Sequence, residues 1–340
     1  MHFRVRFAGA FVALCVTTAA VAQSPLDELR SAPDRDKLAT WIQGRVQTIV
    51  TSGATAGQAA LELRSEFNGP DPFRAMYAQI LLEQTRARLR ETRGPAAARL
   101  LAAAAGLGEG AAAELTPLLS EALAHPDAGA RAAAAAGLRS LRARLAPGGP
   151  AFGTAVAALR KAGRTEASHG ALKAIYLALD YSDAGAAPAE PRVLAEALAD
   201  ILDARAARLD ANSPLWDSAD PAGLRALLAV RAHLDDAGRK KAALAAGRML
   251  RHAAAHYISG ARPLIDVKDD AGAILVTARD AAENVIEDAD RALRELLDAP
   301  TGPNVANGMK RGRREEVRDE FNRWNELLRT AAGSDVGALP

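Results

Sequence analysis

The chain has a single cysteine, Cys15, in 340 residues. With no second thiol, disulfides and Cys-ligated zinc are excluded, so stability has to come from packing. Aromatics make up 4% of residues, and Val and Ile together number 24. That is too few β-formers for a sandwich, a barrel or a dinucleotide-binding sheet. Neither charge dominates, with 43 Lys and Arg against 41 Asp and Glu. A nucleic-acid partner therefore has no electrostatic support. No long uncharged apolar run follows the first 22 residues, so no transmembrane segment is expected after them. What the chain does have is alanine, about a quarter of all residues, and alanine favours helix.

Residues 1–22 read as a Sec-type signal peptide. Arg4 and Arg6 form a basic start, an apolar run extends from Phe7 to Val21, and Ala20-Val21-Ala22 is an A-x-A cleavage site. The apolar run is about 15 residues, short of the roughly 20 that span a bilayer. Cleavage after Ala22 removes two basic residues and no acids, which leaves 41 of each sign. A periplasmic or secreted protein is expected. Lipidation through Cys15 is not, because Leu14 precedes it where a small residue is needed.

Apolar residues then recur three and four apart. Leu38, Ile42, Val46 and Ile49 form one stripe behind Asp34 as N-cap, and Phe73, Met76, Tyr77, Ile80 and Leu81 form another behind Pro70-Asp71-Pro72. Pro95 opens an alanine-rich helix that Gly106, Gly108 and Gly110 end. A helix from Glu114 to Ala124 presents Leu115, Leu118, Leu119, Ala122 and Leu123 on one face, and His125-Pro126-Asp127 breaks it. Asp127 caps the next helix, Arg131 to Leu145, with Ala134, Leu138, Leu141 and Leu145 inward.

This helix-turn-helix unit recurs. A shift of about 38 residues lays Thr116 on Thr154 and Leu118 on Val156, and sets a turn at Gly163-Arg164-Thr165 opposite His125-Pro126-Asp127. Asp236-Ala237-Gly238 echoes Asp127-Ala128-Gly129, about three periods on. Leu119, Ala122, Leu123, His125, Pro126, Asp127, Arg131, Ala134, Ala135 and Leu138 follow the L-x-x-A-L-x-H-P-D … R-x-x-A-A-x-A-L consensus. On these residues the chain resembles HEAT-like, armadillo-type helical repeats, best over 113–145 and in degraded form between 95 and 259. The resemblance implies that Asp127 caps the second helix of its unit and that Arg131 reaches a neighbouring unit's acid. It also implies an α-solenoid, in which antiparallel helix pairs bury their faces by stacking into a superhelix.

The expected organisation is a signal peptide (1–22), an N-terminal helical segment (23–94), HEAT-like repeats (95–259), a long helix, loop and capping helix (260–332), and a disordered tail (333–340). Asp183–Pro191 and Ala211–Pro221 are Pro-rich loops, and Trp216 is a plug over a core end. A helix is expected across 165–181. After Gly260, a small hairpin around Lys268–Gly272 competes with one long helix from Ala271, which places Leu275, Ala278, Ala282, Val285, Ala289, Leu293 and Leu296 on a stripe and is preferred. The capping helix, Arg313 to Ala331, carries Val317, Phe321, Trp324, Leu327 and Leu328 on one face, after a loop over 299–312.

Chemistry is sparse. His252 and His256 sit one helical turn apart, the spacing that lets two imidazoles share a metal, with Asp235, Asp236 or Asp266 as sources of a third ligand. Ala253 follows His252 where a zinc protease carries glutamate. Gly106-Leu107-Gly108-Glu109-Gly110-Ala111 fits a loose dinucleotide fingerprint, but Ala102 to Ala105 is poor strand material in front of it. Lys310, Arg311, Arg313 and Arg314 form a basic cluster ahead of Glu315 and Glu316, which reads as a solvated loop those acids neutralise. The expected protein is a non-catalytic helical-repeat scaffold that needs no cofactor and binds a protein or peptide on its concave face. The alternative is a metal- or small-molecule-binding helical protein, or an enzyme of another type, centred on His252 and His256.

Overall fold

Asp34 starts the first long helix as its position requires, its Oδ1 accepting the N–H groups of Asp36 and Lys37 at 3.1 and 3.2 Å. The computed structural model describes residues 26–210, 219–259, 267–268, 274–276 and 278–339. Residues 1–22, read above as a signal peptide, with Cys15, and Trp216 and Asp266 lie outside these residues. After a short α1 (Asp27–Ser31) come α2 (Arg35–Thr51), α3 (Ala56–Glu66), α4 (Asp71–Leu89), α5 (Pro95–Ala105), α6 (Ala112–Ala122), α7 (Ala128–Ser140) and α8 (Arg142–Leu145). They are followed by α9 (Pro150–Thr165), α10 (His169–Leu179), α11 (Pro191–Asp210), α12 (Ala219–Val230) and α13 (Asp236–Ser259). Strands β1 (Val267–Lys268) and β2 (Ile274–Val276) precede α14 (Ala278–Leu296), α15 (Val305–Lys310) and α16 (Arg314–Ala332). The described chain is therefore all-α apart from one small ribbon.

The helices stack in two rows. In the first, α2, α4, α6, α9, α11, α13 and α16 each pack on the next; in the second, α3, α5, α7, α10, α12, α14 and α15 do the same. Each first-row helix also packs on its second-row partner, giving seven pairs, an order compatible with an α-solenoid. The order runs through residues 95 and 259 without interruption. One continuous hydrophobic core follows it from Leu26 to Leu339. Small residues set how closely neighbours within each row approach: a Cβ on Gly163 would lie 2.7 Å from Ile201 Cδ1, and one on Gly223 2.6 Å from the Tyr176 ring.

The apolar stripes of α2, α6 and α7 are buried as expected, and in α4 only Met76 is less than fully buried. Several expectations are corrected. The helix expected from Arg131 to Leu145 spans Ala128–Ser140 and breaks at Leu141 before α8. The continuous helix across 165–181 is interrupted at 166–168, where Glu166 turns extended. The matching turn thus comes three residues later than the shift of about 38 places it. Where one helix is expected from Ala271, residues 274–276 form a strand instead: Val267 pairs with Val276 and Lys268 with Ile274, antiparallel, as their β-branched content favours, and α14 starts at Ala278. The loop over 299–312 contains α15, whose Asn304 cap accepts from Asn307 N–H at 2.9 Å.

On α16, Val317, Phe321, Trp324 and Leu328 are buried, whereas Leu327 is 38% exposed. The tail taken as disordered docks through Leu339. Gly333 ends α16 in the left-handed conformation, Val336 and Leu339 are buried, and Asn325 accepts from Val336 N–H at 2.8 Å while donating to the Gly337 carbonyl at 3.3 Å. No helix among the described residues is long and apolar enough to cross a membrane.

Candidate functional site

Three grooves open side by side along the first row. Between α4 and α6 is a groove of about 200 Å³ that includes Arg90, Leu118 and His125. Between α6 and α9 is one of about 470 Å³ lined in part by Pro117, Leu123, Thr154 and Ala158. Between α9 and α11 is one of about 540 Å³. Neighbouring grooves share walls: Glu121 and Ala124 line the first two, Lys161 and Thr165 the second two. Small side chains on the helix crests leave this space open, since Gly153, Ala157 and Ala204 cannot fill it.

Ion pairs stitch the same row between residues 35 to 45 positions apart. Arg86 bonds Glu121 at 2.9 Å across α4 and α6. Asp200 on α11 takes both Arg160 of α9 and Lys241 of α13, while Asp203 takes Arg248 at 3.4 Å. The α9–α11 groove is the uneven member. Arg160, Lys161 and Arg164 line it with no carboxylate among its wall residues, and Lys161 and Arg164 form no ion pair among the described residues.

The turn edge carries a second polar chain, and it is structural. Asp127 Oδ1 accepts from Ala130 N–H at 3.0 Å, and its Oδ2 accepts from Gly94 N–H of the preceding pair at 3.1 Å. His125 Nδ1 accepts from Asp127 N–H, which leaves Nε2 to donate to the Leu89 carbonyl at 3.2 Å. Arg131 holds Glu166 of the following pair by two bonds, Nε to Oε2 at 2.6 Å and Nη2 to Oε1 at 2.7 Å. Burial pulls the Glu166 carboxyl upward, but the Arg131 guanidinium and the amides of Ser168 and Ala167 outweigh it and hold the carboxyl below its usual range. Arg208 continues the chain to the Glu166 carbonyl, and Arg205 pairs Asp220 at 2.9 Å with both side chains buried.

Sequence reasoning found Asp127 and Arg131 but missed Glu166, Arg205 and Asp220. Glu166 lies 35 residues beyond Arg131. With the turn placed at Gly163-Arg164-Thr165, Glu166 fell inside an expected helix.

His252 and His256 do come together on α13, ring centroids 4.8 Å apart and steeply tilted. Burial first, and then His256, Arg205 and Arg251, depress the His252 pKa to about 4, so this imidazole is neutral at pH 7. Neither Asp235 nor Asp236 can be the third ligand. Asp235 caps the far end of α13, accepting from Gly238 N–H at 2.8 Å, and 17 residues of helix put it about 25 Å away. That cap also corrects the sequence echo, because Asp235 and not Asp236 does what Asp127 does. Among the described residues no group of three His, Cys, Asp or Glu side chains is placed to hold a metal.

The glycine fingerprint at 106–111 follows a helix and forms a short turn, not a strand-to-helix phosphate loop. The basic cluster is neutralised partly as expected: Glu316 pairs with Arg311 and Arg313, while Lys310 reaches Glu287 on α14. No family profile matches the chain, and no curated protein or solved structure is detectably similar to it.

Proposed function

We propose that this chain is an exported α-solenoid of HEAT-like repeats, its paired helices antiparallel and wound into a superhelix, and that it binds another protein or peptide along the concave face. The observation that carries the reading is the run of three first-row grooves with shared walls. A row of this kind offers a long, segmented surface without one deep pocket, which suits an extended partner better than a small ligand. We take the first row as the concave side. The Asp127 cap and the bond from Arg131 to the next pair support the repeat reading, because those are the roles the resemblance implies. Export rests on the leader sequence at residues 1–22.

The test is affinity capture from the exporting cell with the wild-type protein and with Ala124→Trp and Ala157→Trp, which between them add bulk to the walls of all three grooves. A protein retained by the wild type and lost from the variants supports the reading. Equal retention by all three contradicts it. Zinc retained stoichiometrically by the wild type and lost in His252→Ala would favour the alternative centred on His252 and His256.

A further inference from the structure

Resting on the first-row reading above, we propose that the α9–α11 groove recognises an acidic peptide segment with apolar anchors, supplied by another protein. The floor is apolar: Val156 and Ala157 from α9 face Val193 and Ala204 from α11. Val193 is 36% exposed and is one of three large apolar side chains left open to solvent among the described residues, the others being Leu61 and Leu327. An exposed valine at the wall of a groove is surface that a partner's apolar side chain can cover.

The rim supplies the charge selectivity. Arg160, Lys161 and Arg164 stand within five residues of one another on α9. Arg160 pairs with Asp200, whereas Lys161 and Arg164 form no ion pair among the described residues, and Glu121, which shares the α6–α9 groove with Lys161, is taken by Arg86. Such a rim attracts carboxylates and repels a basic segment. A free anion would use the rim and leave the floor bare, whereas a peptide with an apolar anchor covers both.

The neighbouring groove sets the length. Lys161 and Thr165 belong to both the α9–α11 and the α6–α9 grooves, so a ligand that leaves one crosses α9 at Lys161 and reaches the other. Packed helix axes lie about 8–10 Å apart. An extended polyproline-type peptide repeats its side-chain direction every three residues, about 9 Å. Two apolar anchors three residues apart, with an acid between them over Lys161, fit the two grooves.

The test uses fluorescence anisotropy of the purified protein with a fluorescein-labelled hexapeptide, Asp-Leu-Glu-Asp-Leu-Asp, at low salt. Saturable binding is expected, weakened tenfold or more by Lys161→Glu and by Gly153→Leu, and kept by Lys161→Arg. A Cβ at Gly153 meets nothing within 4 Å, so the leucine fills the groove without straining the helix. Circular dichroism and thermal melting establish that each variant is folded. A hexapeptide with Lys at the four acidic positions should not bind.

Absence of binding to the acidic hexapeptide overturns the proposal. So does binding that Lys161→Glu abolishes and Gly153→Leu leaves intact, or equal displacement by inorganic phosphate or phosphatidylglycerol vesicles, since each describes a plain anion site. If the cellular partner is lost in Ala124→Trp yet retained in Lys161→Glu and Gly153→Leu, the first-row face stands and the acidic-peptide assignment falls. If none of the three variants loses it, both fall.

Discussion

Arg131 on α7 and Glu166 in the following turn form a bidentate pair, 2.6 and 2.7 Å, that ties one helix pair to the next. The Glu166 side chain is 1% exposed and that of Arg131 20% exposed. The pair thus joins two successive helix pairs, with one end in the core and the other near water. Removing Arg131 strands a buried carboxylate. Arg131→Ala should cost about 2–3 kcal/mol, below the range for fully buried pairs because the arginine is partly solvated. The double variant Arg131→Ala/Glu166→Ala should be less destabilised than the sum of the singles by at least about 1 kcal/mol. Additive melting shifts would show that the two side chains do not cooperate.

Asp127 is a separate contribution on the same turn. It caps α7 through Ala130 and reaches back to Gly94, so Asp127→Ala should cost about 1–2 kcal/mol, the upper part of the N-cap range. Asp127→Asn can still accept from Ala130 and should recover most of it. An unchanged melting temperature for Asp127→Ala would remove the cap from the account.

Two glycines should respond in opposite ways to the same change. Gly223→Ala drives a Cβ to 2.6 Å from the Tyr176 ring, which cannot retreat cheaply in a full core, and should destabilise despite the better helix propensity of alanine. Gly153→Ala has open space and should stabilise by about 0.5–1 kcal/mol. Chemical denaturation of both, scored by midpoint, checks the packing of the α10–α12 contact. The same sign for both would contradict it.

The His252 pKa gives a pH signature. It is depressed from 6.5 to about 4 in the folded chain, so the unfolded chain binds the extra proton more readily between those values. The contribution of neutral His252 is therefore complete above about pH 6.5 and is lost progressively as the pH falls toward 4. Glu166 acts in a lower window, because its folded carboxyl is held below the usual range. His252→Gln should flatten the decline between pH 6.5 and 4 while leaving the steeper loss below it. A wild-type stability curve that is level across that interval would rule out burial of the neutral imidazole.

The legible part of the structure was the part written locally. The stripe Leu38, Ile42, Val46, Ile49 and the caps Asp34 and Asp127 were readable because helical period and capping chemistry act within a few residues. What escaped depends on tertiary partners. Glu166 breaks a run that otherwise reads as helix because Arg131, 35 residues back, holds its carboxylate. The tail after Gly333 is short and has no helical period, yet Asn325 accepts from Val336 N–H and Val336 packs against Gly247. At β1 and β2, the alanines after Ala271 favoured helix while Val267, Ile274 and Val276 favoured strand, and the pairing of the two strands decided it. The His252–His256 pair was readable from spacing alone, but the neighbours that depress the His252 pKa were not.

Truncation checks the docked tail. Deleting residues 333–340 exposes the surface that Val336 and Leu339 cover and leaves Asn325 without its two bonds to the tail, so the melting temperature should fall. Asn325→Ala should reproduce part of the fall. No change on truncation would return the tail to the unstructured state expected from sequence.

Site-directed photo-cross-linking in the cell of origin decides whether a partner lies along the first row. A photoreactive residue is placed at Ala124 and Ala157 along the first-row grooves, and at the exposed Ala136 on α7 and Lys173 on α10 in the second row. A discrete protein adduct is expected from both first-row positions and none from the second row. Adducts of equal yield from Ala136 and Lys173, or none from any position, would contradict a partner bound along the first row.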